Sequence, residues 1–171
     1  APAPAPAPAP LDGPAPVYSL GQTDTVVTMA PEALRMEDTT LAFTFNVDNA
    51  GGTQGLFSRD ARFYDGDGNH LSIYVQNGTL KVRMQDGEGQ EFLDLRGIQA
   101  GQDYQVALSF GDGTGTLYVD GQEAGSTQTG LTWETSPEHI QIGALGWGSE
   151  SGQASFTTAF QGEISDLAIY D

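Results

Sequence analysis

Asp-Gly or Asn-Gly pairs divide the middle of this chain at five points: Asp67-Gly68 (directly after Asp65-Gly66), Asn77-Gly78, Asp86-Gly87, Asp112-Gly113 and Asp120-Gly121. Asp, Asn and Gly tolerate positive φ better than other residues. Such pairs therefore suit the tight two-residue turns of β-hairpins. The runs between them alternate. Leu71, Ile73 and Val75 interleave with Ser72, Tyr74 and Gln76. Leu80, Val82 and Met84 interleave with Lys81, Arg83 and Gln85, and Tyr104, Val106, Leu108 and Phe110 with Gln105, Ala107 and Ser109. Period two is the mark of a strand with one buried face. Further strands are expected near 24–29, 33–36, 40–48, 54–60, 92–95, 115–120, 122–127, 139–143, 156–161 and 163–170, with at most a short helical turn at Pro31 to Leu34. Many short strands without helices must close as an antiparallel sandwich or barrel. The alternation places Leu71, Ile73, Val106, Leu108, Leu117, Val119, Ile142 and Ile169 between two sheets.

The N-terminus obeys another rule. Residues 1–10 are five Ala-Pro pairs, and residues 11–16 continue the theme. Alternating proline fixes φ and removes backbone donors, which disfavours helix and sheet alike. At about 3.1 Å per residue, a polyproline II spacer of this length reaches about 50 Å. Residues 1–16 are thus expected to be a linker and residues 17–171 a single domain, monomeric within a larger chain. The first residues have no signal-peptide pattern, which suits a segment of something longer.

Composition narrows the function. Six basic residues face 23 acidic ones, for a formal charge of −17. Such a surface repels nucleic acid and anionic membranes and favours cations, calcium among them; it also simply keeps a protein soluble. There is no cysteine, so disulfides, thiol catalysis and Cys-ligated zinc are excluded. No apolar run approaches the roughly 18 residues of a membrane-spanning helix.

Four stretches carry a family resemblance. Leu117-Tyr118-Val119-Asp120-Gly121 resembles the L-Y-V-D-G hairpin of laminin G-like domains. The strand from Gly101 to Phe110 resembles their G-x-W-x-x-V-A strand, with Tyr104 in place of Trp. Gly55-Leu56-Phe57-Ser58 resembles G-L-F-S. Ile140-Gln141-Ile142-Gly143 followed by the run from Phe160 to Tyr170 resembles I-x-I-G … F-x-G-x-I-x-D-L-x-I-Y. Order and spacing agree over about residues 24–171. The resemblance implies an all-β, two-sheet antiparallel jelly-roll sandwich of the laminin G/concanavalin A-like kind. Glu163 stands where metazoan members often carry a disulfide Cys, and Ser165 where bacterial relatives carry Asp. With the Ala-Pro linker, this looks like the bacterial, secreted or cell-surface version.

Two local signals point to chemistry. Asp65-Gly66-Asp67-Gly68-Asn69 sets oxygen donors at every second residue, like the first half of an EF-hand loop, but position twelve is Gln76 rather than Glu. It reads either as a plain turn or as a calcium site using Asp65, Asp67 and Asn69. Asp48, Asn49 and Asp166 are weaker metal candidates. Trp147, between glycines and outside any alternating run, reads either as an exposed sugar-stacking residue or as a cap on the core. Tyr64 and His70, which flank the acidic stretch, are further candidate ligand contacts, as is Glu150 near Trp147; Trp133 and His139 read as structural.

Catalysis finds no support. Glu88, Glu91 and Asp94 do not form the E-x-D-x-x-E of jelly-roll glucanases and read as a solvated edge, and no G-x-S-x-G elbow exists. The expectation is a non-catalytic module that binds a glycan, with neutral sugars preferred on overall charge and calcium assisting. A protein-interaction or spacer domain with an extracellular partner is the alternative, and a jelly-roll glycan-degrading enzyme the third reading.

Overall fold

A computed structural model describes residue 16 and residues 18–30, 38–59, 69–86, 89–131, 139–146 and 156–170. The strands are β1 (Tyr18–Leu20), β2 (Val27–Met29), β3 (Thr40–Val47), β4 (Thr53–Arg59), β5 (His70–Gln76), β6 (Thr79–Gln85) and β7 (Gln90–Arg96). They continue with β8 (Asp103–Gly111), β9 (Thr114–Val119), β10 (Gln122–Gln128), β11 (Ile140–Ile142), β12 (Leu145–Gly146), β13 (Phe156–Thr157) and β14 (Gly162–Tyr170). No helix occurs among the described residues. The expected strand at 33–36 and the turn at Pro31 to Leu34 lie outside them, as do residues 1–15.

Two six-stranded antiparallel sheets form the sandwich. The first runs β1-β14-β3-β8-β9-β10 and the second β2-β11-β4-β5-β6-β7, while β12 and β13 pair separately. Three of the five turn pairs are described whole, and each closes a two-residue hairpin with both φ values positive: Asn77-Gly78 at 47° and 73°, Asp112-Gly113 at 50° and 70°, Asp120-Gly121 at 51° and 75°. Those signs define the I′ turn, whose twist matches that of the flanking strands.

The core lies where the alternation put it. Leu71, Ile73, Leu108, Leu117, Ile142 and Ile169 are fully buried, with Val106 at 2% and Val119 at 7% exposure. Phe45 is sealed beneath Tyr104, the two rings stacked 5.3 Å apart at 24°. The Tyr104 hydroxyl accepts from the Gln99 N–H at 2.9 Å. Each fully buried Leu, Ile or Phe stabilises the fold by about 1.5–3 kcal/mol.

The two long sides close differently. On one, β1 pairs with β14 in the first sheet while β2 pairs with β11 in the second, so the N-terminal segment passes from sheet to sheet. Thr23 bridges to Ile164 on the way, with N–H···O bonds of 2.8 and 3.1 Å. This leaves Val27–Met29 as the strand where 24–29 was expected; at 24 and 25 the chain bends, and Thr23 Oγ1 donates to the Thr25 carbonyl at 2.9 Å. On the other side, edge strands β7 and β10 approach each other, and Asp86 Oδ2 accepts the Gly130 N–H at 2.8 Å.

Candidate functional site

The outward positions of the second sheet form polar rows. Antiparallel register aligns Thr28, Gln141, Ser58, Ser72, Arg83 and Phe92 across all six strands, on one face. Two parallel rows follow toward the β5–β6 turn: Gly55, Tyr74, Lys81 and Asp94, then Thr53, Gln76, Thr79 and Arg96. Successive outward residues on a strand share a face, so these rows make one continuous surface.

That surface is covered at one end and open at the other. Ser58 is fully buried, and Ser72 and Gln141 are 3% exposed although they point away from the core. The cover over β4 is β12. Gly146 N–H donates to Ser58 Oγ at 2.8 Å, and Gly55 N–H donates to the Thr158 carbonyl at 2.8 Å. Gly55 lies so close beneath β12 that a Cβ there would stand 2.3 Å from Ala144 C and Leu145 N. The approach thus requires glycine at position 55.

Toward β6 and β7 the face opens. Phe92 is 47% exposed, the one large apolar side chain so placed among the described residues. Lys81 Nζ lies 5.9 Å from its ring centroid and 2.8 Å from Asp94 Oδ2. The Arg83 guanidinium donates to Gln85 Oε1. Beside them a groove of about 660 Å³ is lined by Gln76, Asn77, Thr79, Lys81, Asp94 and Arg96, with Gly78, Gly97, Ile98 and Gln99 completing it. Lys81, Asp94 and Arg96 are its charged groups, giving it a net positive charge within a chain of −17.

The sequence-derived site residues are distributed as follows. Trp147, Tyr64, Glu150, Asp65 and Asp67 lie outside the described residues, as do Trp133 and Glu88. Asn69 immediately precedes β5 and is half-buried. His70 opens β5 on the outward face but is only 2% exposed, so its ring is not offered to solvent as a ligand contact. Among the described residues no three His, Asp or Glu side chains gather to hold a metal, so Asp48 and Asp166 form no such cluster with described neighbours. Asp166 sits exposed at a bulge in β14 with φ 54°. Glu91 and Asp94 are exposed on edge strand β7, as the reading of a solvated edge required. Arg59, at the end of β4, is 3% exposed, and burial lowers its guanidinium pKa from the ordinary value.

Sequence reasoning saw Lys81 and Arg83 only as the solvent side of a strand and missed the groove. The available signal was distribution: three of six basic residues, Lys81, Arg83 and Arg96, fall on what became two adjacent strands.

Comparison with known proteins agrees with this architecture. A family profile of the laminin G type, described as the Concanavalin A-like lectin/glucanases superfamily, matches residues 20–171. No curated protein sequence is significantly similar. Among solved structures, the CBM40 of the Ruminococcus gnavus IT-sialidase bound to α2,3-sialyllactose superposes with a TM-score of 0.68 at 15% identity, over 91% of this chain and 92% of that one. Domains LG4-5 of the mouse laminin α1 chain give 0.64 at 14% identity, over 92% of this chain and 44% of that one. The heptameric SAP-like pentraxin from Limulus polyphemus gives 0.56 at 19% identity, over 90% and 67%.

Proposed function

From the membership of this chain in the laminin G-type branch of the concanavalin A-like lectin/glucanase superfamily, we propose that it is a non-catalytic carbohydrate-binding or adhesion module of an exported protein, with its glycan site on the outward face of the second sheet. The observation that carries this reading is the open end of that face. An exposed Phe92 lies next to Lys81, one of the residues of a groove lined with amides, a hydroxyl and opposite charges. An aromatic flank with a few polar groups is what a sugar needs, because it meets both C–H faces and hydroxyls. Similarity to a CBM40 solved with sialyllactose supports the reading at the level of fold.

The groove does not suit glycoside hydrolysis. That reaction uses two carboxylates about 5–9.5 Å apart. Asp94 is the one carboxylate among the groove residues, and it is paired with Lys81 at 2.8 Å.

Trp147 and Glu150 belong to this proposal as further contacts, since position 147 directly follows β12, which lies on the same face. Calcium held by Asp65, Asp67 and Asn69 is proposed as a structural support, with Asn69, immediately before β5, supplying one oxygen donor. Residues 1–16 are proposed as the spacer joining the module to its neighbour.

The test is a glycan array probed with and without millimolar calcium, followed by Trp147→Ala. Binding of at least one glycan class, weakened by Trp147→Ala at an unchanged melting temperature, is expected. Silence across the array would favour the protein-interaction or spacer reading. A large fall in melting temperature would make Trp147 a core residue.

A further inference from the structure

We propose that the groove between the β5–β6 turn and β7 receives an acidic sugar: a single carboxylate-bearing residue of an otherwise neutral glycan, its carboxylate held by Arg96. This rests on the glycan-binding reading and adds the ligand class.

The chain has 23 acidic residues to six basic ones. All four described cations belong to the second sheet, and three of them, Lys81, Arg83 and Arg96, project from the outward rows of β6 and β7. The described strands of the first sheet carry no cation.

Arg96 is exposed, and its guanidinium makes no ion pair or hydrogen bond among the described residues. Asp94, two residues away on the same face, is directed instead to Lys81 at 2.8 Å. An arginine without a carboxylate partner, at the rim of a groove in so acidic a protein, is available to an anion from outside. Its planar fork matches a carboxylate with two parallel N–H···O bonds.

The remaining lining suits the rest of a sugar. Gln76, Asn77, Thr79 and Gln99 bring amide and hydroxyl groups that exchange hydrogen bonds with ring hydroxyls. Asp94 accepts from hydroxyls, and Phe92 provides an apolar flank next to Lys81.

Overall charge limits the ligand to one or few carboxylates. A polyanion must approach a surface of −17 along its whole length. One carboxylate at Arg96 feels mainly groups within the screening distance of about 8 Å at physiological salt. Net charge alone favours neutral sugars, whereas the local charge at Arg96 favours a single carboxylate.

The experiment titrates the full chain with 3′-sialyllactose, with a trisaccharide ending in glucuronate, and with lactose. At least one acidic probe is expected to bind tenfold or more tightly than lactose and to weaken as NaCl rises. Arg96→Gln should weaken that probe by about tenfold or more, the usual loss for a charge-assisted bond. Arg96→Lys should recover part of it, and both variants should melt like the parent, because Arg96 holds nothing within the fold. Equal affinity for acidic and neutral probes, or full binding by Arg96→Gln, would overturn the acidic-sugar assignment and leave glycan binding standing. Failure of all three probes beside a positive array of neutral glycans would do the same. Failure of the probes and of the whole array would remove both.

Discussion

The Gly146 N–H donates to Ser58 Oγ at 2.8 Å, joining residues 88 positions apart in the chain. The bond fastens β12 to the outward face of β4, where Ser58 has no solvent exposure. It also sets the starting point of the segment that carries Trp147.

Two substitutions test this anchor. Ser58→Ala removes the acceptor of a buried N–H and should cost about 1–3 kcal/mol. Gly55→Ala forces a methyl to within 2.3 Å of the Ala144 and Leu145 backbone, so β12 must lift. Overpacking of this kind costs about 1–3 kcal/mol, or roughly 3–10 °C in a domain of this size. If β12 positions Trp147 for a ligand, Gly55→Ala should lose glycan affinity beyond its effect on stability. Melting curves and titrations on the same variants check both, and unchanged melting temperatures would show that β12 contributes nothing to the fold.

Tyr104 should prove more than a substitute for tryptophan. Its ring stacks on Phe45, and its hydroxyl accepts the Gln99 N–H at 2.9 Å and lies 3.4 Å from the Gly97 carbonyl. Tyr104→Phe keeps the stack and loses the polar tip, a cost of about 1 kcal/mol. Tyr104→Ala also loses the ring, and truncating a buried aromatic costs about 3–5 kcal/mol. Since Gln99 and Gly97 line the groove, Tyr104→Phe should also weaken ligand binding slightly. Denaturant unfolding of the two variants gives the comparison.

Salt and calcium should stabilise by separable routes. At −17 the folded chain repels itself, so raising NaCl should raise the melting temperature progressively and without saturation at low millimolar levels. A calcium site at Asp65, Asp67 and Asn69, with a dissociation constant of about 0.1–1 mM, should instead saturate. At ten- to hundredfold excess it adds about 1.4–2.7 kcal/mol. Melts in EDTA, in calcium, and in NaCl of equal ionic strength separate the two. A calcium curve that merely follows the ionic-strength curve leaves the acidic stretch as a turn.

The sequence alone determined the longer strands, the three described hairpin turns and the core, because those depend on local chemistry. Leu71, Ile73 and Val75 alternate with polar residues, and Asn77-Gly78 can take the positive φ values that close β5 onto β6. Each such pattern has only one low-energy use, so it was legible without neighbours. What the alternation could not say was how outward residues fare. His70 and Ser72 look like the solvent side of β5, yet they are buried, and Ser58 is buried because a two-residue strand from far along the chain crosses over it. β12 and β1 are too short to show a period, and their pairing is decided by long-range contacts. The groove escaped for the same reason. Lys81, Asp94 and Arg96 come from two strands, and only the antiparallel register of β6 with β7 pairs Lys81 with Asp94 and leaves Arg96 free at the rim. Charge sums over a sequence, but binding depends on where tertiary pairing puts each charge.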